Sequence, residues 1–132
     1  MLLINRDTDY AVRILLYMFK SGENILSADD ISSELEIPYA FVRKILQELS
    51  NENILMTHRG RGGGFSLDKP VEDVSVLKLI KIFQKNVDLS RCVFKSKICP
   101  NMDDCVLRGE IKDIEKDIIR RMKNLTLKDL LR

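Results

Sequence analysis

The sequence contains no apolar run near the roughly 18 to 20 residues that a membrane-spanning helix needs. It also lacks a strong charge of one sign, since 22 basic and 20 acidic residues leave a net charge of +2. The overall composition therefore shows no strongly basic nucleic-acid footprint. Hydrophobic residues make up 45% of the 132 residues, which is typical of a soluble globular protein with a real core. We expect one domain, with at most an appended oligomerisation element.

The N-terminal stretch reaches charge at Arg6 and Asp7, too early for the apolar segment of a secretory signal peptide. With no spanning segment either, we expect a cytoplasmic protein whose thiols stay reduced. Charge is distributed unevenly. Residues 23–36 hold five acidic and no basic residues, whereas residues 38–64 hold four basic against two acidic ones. The second stretch is a weak indication of a small basic face.

Helical spacing of apolar residues predicts a first helix over 7–20, ended by Gly22. Ser27 is a candidate N-cap for a short second helix. Pro38 suits the first turn of a third helix that runs to Leu49. Two short helices joined by a tight turn predict a helix-turn-helix.

Two short strands are predicted next, over 53–57 and 64–67, around a loop that contains four glycines. A hairpin directly after a helix-turn-helix indicates a wing. A further amphipathic helix is predicted over 74–83, and a last helix from Gly109. The predicted fold class is mainly α with a small β-hairpin wing. We expect a winged helix-turn-helix over 1–86, a cysteine sensor loop over 87–108 and a dimerisation helix and tail over 109–132.

The third helix is the candidate recognition helix, because a major groove admits one α-helix whose N-terminal residues meet base edges. Arg43 is suited to a guanine edge or a phosphate, and Lys44 to a phosphate. A solvated helix face is the alternative. The wing fails the nucleotide-binding templates, since no Gly-Lys-Ser/Thr follows its glycines and it leads into a strand. Its arginines suit the minor groove, unless the hairpin touches nothing. The candidate DNA-binding residues are Pro38, Tyr39, Ala40, Arg43, Lys44, Arg59, Gly60 and Arg61.

Cys92, Cys99 and Cys105 have the spacing C-x6-C-x5-C, with no fourth cysteine. Structural zinc sites usually show closer cysteine pairs, and a disulfide is disfavoured in the cytoplasm. Three thiolates on a polar loop can ligate an iron–sulfur cluster with a fourth ligand from elsewhere. Redox-active thiols are the alternative.

Apolar residues of the last helix step by 3, 4, 4 and 3, which averages the 3.5-residue spacing of a coiled-coil seam. We expect this stripe to pair with a second chain, although packing on its own domain is an alternative. The stripe consists of Ile111, Ile114, Ile118, Met122 and Leu125.

Four pieces of the sequence together resemble the IscR/NsrR-type family of winged-helix iron–sulfur transcriptional regulators. They are residues 9–13 (DYAVR), the helix-turn-helix over 31–49, the wing over 59–65 and the cysteine triplet. The resemblance covers essentially the full chain. It implies a homodimer in which Cys92, Cys99 and Cys105 ligate a [4Fe–4S] or [2Fe–2S] cluster.

The resemblance also directs attention to the fourth ligand. Some members place a histidine three residues beyond the last cysteine, where this sequence has Arg108, and the only histidine is His58 in the wing. Other members use an aspartate near the N-terminus of the partner subunit, and Asp9 matches that position. Asp7, Asp103, Asp104 and Glu110 rank behind Asp9. A first-turn carboxylate that only stabilises the helix dipole is the alternative for Asp9.

The expected function is that of a dimeric regulator that binds a palindromic operator in double-stranded DNA under control of the cluster. It is not expected to be an enzyme or to contact a membrane. A cluster-free thiol or small-molecule sensor on the same scaffold is the first alternative. The alternatives of other classes are a small cysteine-based metalloprotein or redox enzyme, and a protein-interaction module that does not bind DNA.

Overall fold

The structure, a computed structural model, describes residues 3–85, 87, 89 and 104–131. Within these residues the chain forms five α-helices and a two-stranded antiparallel hairpin, so the predicted fold class is confirmed. No described helix is long and apolar enough to cross a membrane. The elements are α1 (Arg6–Ser21), α2 (Ala28–Leu35), α3 (Tyr39–Asn51), β1 (Leu55–His58), β2 (Gly64–Leu67), α4 (Val76–Phe83) and α5 (Val106–Asn124), with 3-10 turns at Val71–Asp73 and Leu127–Leu130.

The helix ends follow the caps that the sequence predicts. Gly22 takes the left-handed conformation just past α1, with a φ of 70°, which costs a glycine little. At the start of α2 the Ser27 hydroxyl accepts a hydrogen bond of 3.1 Å from the backbone N–H of Asp30. Pro38 is the N-cap of α3 and therefore lies one position before the first turn in which it was predicted.

Helices α1, α2 and α3 enclose the main core. Ala11, Ile14, Ile31, Ile45 and Leu46 come from α1, α2 and α3, and each is fully buried. Because the buried positions of all three helices converge on this cluster, the outer face of α3 remains free of the core.

The first strand and the fourth helix begin two residues later than predicted. Asn53 has a φ of 59°, which is incompatible with a strand, and the N–H of Ile54 donates to the carbonyl of Leu49 at 3.0 Å. These two residues therefore form the turn that follows α3 and are not part of the strand. In α4 the predicted start at residue 74 is wrong because Ser75 caps the helix, its hydroxyl accepting from the N–H of Lys78 at 3.1 Å.

Leu26 forms an isolated antiparallel bridge with Phe65 of the hairpin, which the sequence did not predict. Its N–H donates to the Phe65 carbonyl at 2.9 Å, and the Phe65 N–H donates back at 2.8 Å. This crossing explains one wing glycine. A Cβ on Gly64 would overlap the Leu26 carbonyl oxygen, so only glycine allows the approach.

The last helix differs from its prediction in its start and in its packing. It begins at Val106, so Gly109 lies within its first turns rather than at its start. The C-terminal part of its apolar stripe (Ile118, Met122 and Leu125) packs on the buried face of α4 in the same chain. The expectation that the whole stripe faces a second chain is therefore wrong for this part. The following turn also returns to the main core, where Leu127 is fully buried.

Candidate nucleic-acid interface and sensor cysteine

The recognition helix α3 is divided into a buried and an exposed face. Val42, Ile45, Leu46 and Leu49 are completely buried at helical spacing. The opposite face is exposed and holds the five residues that the sequence places there, namely Tyr39, Ala40, Arg43, Lys44 and Gln47. Because α3 packs into the core through its buried face, this exposed face is available to a ligand as large as a DNA groove.

The wing presents Arg59, Gly60 and Arg61 to solvent at its tip. Gly60 and Gly62 have φ values of 89° and 69°, and the Gly63 N–H donates to the Gly60 carbonyl at 3.0 Å. This tight glycine turn keeps the hairpin thin and leaves both arginine side chains without an ion pair among the described residues.

His58 lies at the base of the wing rather than at its tip. Its Nε2 is 2.7 Å from the hydroxyl of Ser66 on the other strand. The imidazole therefore has a hydrogen-bond partner within the hairpin. Across all the residues that the structure describes, no group of three or more histidine, cysteine, aspartate or glutamate side chains could hold a metal ion.

The first turn of α1 contacts the recognition helix, an arrangement that the sequence analysis missed. The Asp7 carboxylate lies 3.0 Å from the Lys44 ammonium, and the Arg6 guanidinium stacks 4.1 Å from the centre of the Phe41 ring. Phe41 also contacts Tyr10 of α1, at 6.2 Å between ring centres. No local sequence signal marks these pairs, because their partners lie more than thirty residues apart and meet only in the folded chain.

The charge of Asp7 is stabilised by this contact. Burial acts to raise the pKa of Asp7, but the hydrogen bond and positive charge of Lys44, aided by Arg6, outweigh it and lower the pKa below its usual value. Only 15% of the Asp7 side chain is exposed, against 60% for Lys44. Asp7 is therefore a fixed anion beside one of the candidate phosphate-binding lysines.

The same turn is anchored on its other side to the end of α4. The Gln84 side-chain oxygen accepts hydrogen bonds from the Asn5 N–H at 3.0 Å and from the Thr8 hydroxyl at 2.9 Å. Its amide nitrogen donates to the Leu3 carbonyl at 3.0 Å. Asn5 in turn accepts from the Thr8 N–H at 2.8 Å as the N-cap of α1. Thr8 is fully buried and the hydrogen bonds around it are part-buried, so this polar cluster fixes where the turn lies.

The candidate cluster ligands fall in two parts of the chain. Cys92 and Cys99 lie outside the described residues, as does Asp103. Cys105 is described and is exposed at the N-cap of α5, with no side-chain hydrogen bond to the helix. Cysteine sulfur is the usual protein ligand of iron–sulfur clusters, so an exposed cysteine at this position fits such a cluster.

Asp9, the candidate fourth ligand, projects from the first turns of α1. Its carboxylate accepts a hydrogen bond of 2.9 Å from Arg13 one turn later, and 46% of the side chain is exposed. It is therefore accessible to a second chain, although within its own protomer it is held by an arginine.

Comparisons with known proteins agree with this architecture. The profile of the Rrf2 family, described as iron-dependent transcriptional regulators, matches residues 4–132. Protein aau3 of Rhizobium meliloti is 27% identical over 130 residues, covering 98% of this chain and 84% of its own. The HTH-type transcriptional regulator NsrR of Oceanobacillus iheyensis is 28% identical over 131 residues, covering 98% of this chain and 89% of its own.

Among solved structures, CymR, the global cysteine regulator of B. subtilis, superimposes with a TM-score of 0.79 at 19% identity. That match covers 98% of this chain and 96% of CymR, and at this identity it supports the fold alone. The family is one of transcriptional regulators rather than enzymes. Because the family profile spans nearly every residue, the chain belongs to the Rrf2 family of transcriptional regulators.

Proposed function

We propose that the chain is a homodimeric regulator that binds a palindromic operator and is controlled by an iron–sulfur cluster held by Cys92, Cys99 and Cys105. The observation that carries the cluster assignment is the location of Cys105. An exposed cysteine directly before a 19-residue helix, in a family described as iron-dependent, is accessible as a ligand for iron.

The DNA contact is assigned to α3 and the wing. The first two turns of α3 would enter the major groove, with Pro38, Tyr39 and Ala40 nearest the base edges. Arg43 would read a guanine edge and Lys44 would neutralise a phosphate. The wing would follow the backbone and direct Arg59 and Arg61 towards the minor groove, with Gly60 allowing close approach. The exposure of all these residues supports the assignment.

The fourth cluster ligand is assigned to Asp9 of the partner subunit. The exposure of the Asp9 carboxylate supports this, because a hard oxygen donor at a protein surface can complete a site built by three thiolates of another chain. Ligation would require the carboxylate to leave the Arg13 guanidinium, 2.9 Å away in this structure. A bound cluster would supply coordination bonds to both protomers. Because Asp9 is part of α1 and α1 packs on α3, gaining or losing these bonds would change the orientation of both helices.

The dimer contact is assigned to the first half of α5. Val106 and Leu107 are the most exposed large apolar side chains of the described chain, at 78% and 70%, and Ile114 is half exposed. Isolated apolar residues at a surface need no explanation, but several on one helix indicate an interaction surface. A second copy of the chain is the partner that the family supports, since these regulators generally bind DNA as dimers.

The cluster assignment is tested by anaerobic reconstitution with iron and sulfide, followed by absorption spectroscopy and iron analysis. Wild-type protein should become coloured, and Cys92→Ala, Cys99→Ala and Cys105→Ala should each abolish the colour. Ser96→Ala, in the same stretch of sequence, is the matched control and should behave as wild type. Asp9→Ala should weaken or alter the spectrum. Wild-type protein that binds no iron after reconstitution would rule the cluster out.

The DNA assignment is tested by binding to duplexes of different sequence. Arg43→Ala should relax base preference. Lys44→Ala should weaken binding to all sequences alike, and the slope of log affinity against log salt concentration should fall by about one ion per helix. Unchanged affinity and selectivity in both variants would remove α3 from the interface.

A cluster-free thiol sensor is the second candidate, and the observation that favours it is again Cys105. An exposed thiol at a helix N-terminus is also the environment of a reactive cysteine. Colourless protein whose DNA binding nevertheless changes on oxidation of Cys105, and no longer changes in Cys105→Ala, would favour this function over the first.

A further inference from the structure

The ion pair between Asp7 and Lys44 occupies a side chain that the proposed function assigns to DNA. The two charged groups lie 3.0 Å apart, and the pair joins α1 to the exposed face of the recognition helix. Lys44 is mostly exposed and has four rotatable bonds, so it can swing away from α3 towards a phosphate. The Lys44 ammonium has three donors, but a bridge from it to both a carboxylate and a phosphate would bring two anions together, so the two groups compete for its charge.

Asp7 is unable to follow Lys44 when the lysine moves. The turn that carries Asp7 is fixed by the part-buried hydrogen bonds that Gln84 makes with Asn5 and Thr8. The stacking of Arg6 on Phe41 holds the same turn against α3. Binding of a phosphate by Lys44 must therefore break or lengthen the ion pair rather than carry the carboxylate along.

We propose that Asp7 competes with the DNA backbone for Lys44 and so sets how strongly the recognition helix binds phosphate. Asp7 is a positioning residue in this account, because it acts on DNA through Lys44 and does not itself bind a base. The proposal rests on the assignment of Lys44 to the DNA interface. It places a residue that weakens DNA binding in the first turn of α1, the turn that also carries Asp9.

The size of the effect follows from the exposure of the pair. An ion pair with one largely exposed partner contributes modestly, so removing the carboxylate should strengthen DNA binding about two- to fivefold per recognition helix at low salt. The gain should shrink as salt rises, because salt screens the liberated lysine. The dependence of the affinity on salt concentration should become steeper by less than about one ion per helix, since a single Lys44 neutralises at most one phosphate in either protein.

The test is a double-mutant cycle on the full-length protein, with a fluorescein-labelled duplex of mixed sequence as the probe at two salt concentrations. The variants are wild type, Asp7→Asn, Lys44→Met and the double variant. Asp113→Asn on α5, which removes an equal charge from an exposed ion pair with Lys116, controls for net charge. Asp7→Ser provides a second way to remove the carboxylate, and thermal unfolding of each variant verifies that it is folded.

The expected result is a gain of about two- to fivefold per helix in Asp7→Asn and Asp7→Ser, and no further gain when Lys44 is already methionine. A gain of the same size in the Lys44→Met background would overturn the proposal, because the carboxylate would then act as a general repulsive charge. Unchanged or weaker binding in folded Asp7→Asn would also overturn it while leaving the DNA function intact. Failure of wild type to bind the duplex at all would overturn both the function and this inference.

Discussion

The first turn of α1 and the first half of α5 are both close to candidate cluster ligands, yet they differ in how they are held. The α1 turn is tied to α3 by an ion pair and a cation–π contact, and to α4 by a part-buried hydrogen-bond cluster. Helix α5 has no buried residue, and its first half presents apolar side chains to solvent. The α1 turn is held on both sides within a single chain, whereas the apolar side chains of the first half of α5 stay exposed among the described residues.

This difference indicates a division of labour. The winged helix carries its own core and anchors, so it can present α3 and the wing in a fixed geometry. The first half of α5 gains stability only when something covers it, which makes it suited to report the state of a neighbouring chain or cofactor. Each substitution below changes residues of one region and leaves the other region intact.

The largest effect is expected from the core beneath the recognition helix. Leu46→Ala removes a fully buried side chain and should lower the free energy of unfolding by about 2 to 5 kcal/mol, because a cavity adds to the lost burial. Urea unfolding followed by circular dichroism measures it. Gln47→Ala, one residue on and exposed, is the control and should stay within about 0.5 kcal/mol. Equal losses in both would contradict the assigned faces of α3.

A smaller effect is expected from the anchor of the α1 turn. Gln84→Ala leaves the Thr8 hydroxyl and the Asn5 N–H without their acceptor, which should cost about 1 to 3 kcal/mol. Unfolding measures the cost, and faster hydrogen exchange at the Thr8 amide should localise it to this turn. The exposed Lys81→Ala on the same helix is the control. A change in stability with unaltered exchange at Thr8 would show that Gln84 acts elsewhere.

The unpartnered region should respond in assembly rather than in folding. Ile114→Lys places a charge on the exposed stripe of α5 and should weaken dimerisation by about 1 kcal/mol or more. Sedimentation velocity measures the shift towards monomer. Lys112→Glu, an exposed position on the opposite side of the same helix, is the comparison. A monomer–dimer balance identical to wild type in Ile114→Lys would remove this part of α5 from the interface.

The smallest effect concerns the C-terminal turn that returns to the core. The Asp129 carboxylate accepts from the N–H of Thr126 at 2.9 Å and from its hydroxyl at 3.1 Å, and these bonds hold the pKa of Asp129 below its usual value. A lowered folded-state pKa stabilises the fold above the unfolded pKa of about 3.8, and this stability is lost as pH falls through the folded value.

Asp129→Asn should therefore lower the thermal midpoint slightly at neutral pH, and its difference from wild type should vanish in strong acid. Thermal unfolding at a series of pH values measures the difference. A difference that is as large in strong acid as at neutral pH would contradict the role of the carboxylate.

Much of the fold could be predicted from the sequence because its signals are local. Apolar spacing identified the helices, and Ser27 and Gly22 marked ends that the structure confirms. The exposed side of α3, including Arg43 and Lys44, also followed from spacing. Local signals failed where distant segments meet. The backbone of Leu26 passes too close to Gly64 for any other residue to fit there. The position of Gly64 in a predicted wing does not indicate this requirement.

The candidate sites were less predictable for the same reason. The contact of Asp7 with Lys44 joins residues 37 positions apart, and no periodicity in either helix indicates it. The start of α5 at Val106 was also missed, since Gly109 is a poor helix former whose cost is met by the packing of the rest of the helix. Cys105 therefore lies at the N-cap of α5 rather than within a loop. The full set of cluster ligands and the three-part division of the chain stay predictions.

The central claim, that a cluster held by the cysteines controls DNA binding, is tested most directly by one affinity measurement. Duplexes are selected from random-sequence DNA with the anaerobically reconstituted and the metal-free protein, and the affinity of each form is read by fluorescence anisotropy at fixed salt. The account predicts affinities that differ between the two forms by about tenfold or more, and no such difference in Cys105→Ala. Equal affinities for every selected duplex, with iron bound in one form and absent from the other, would contradict it.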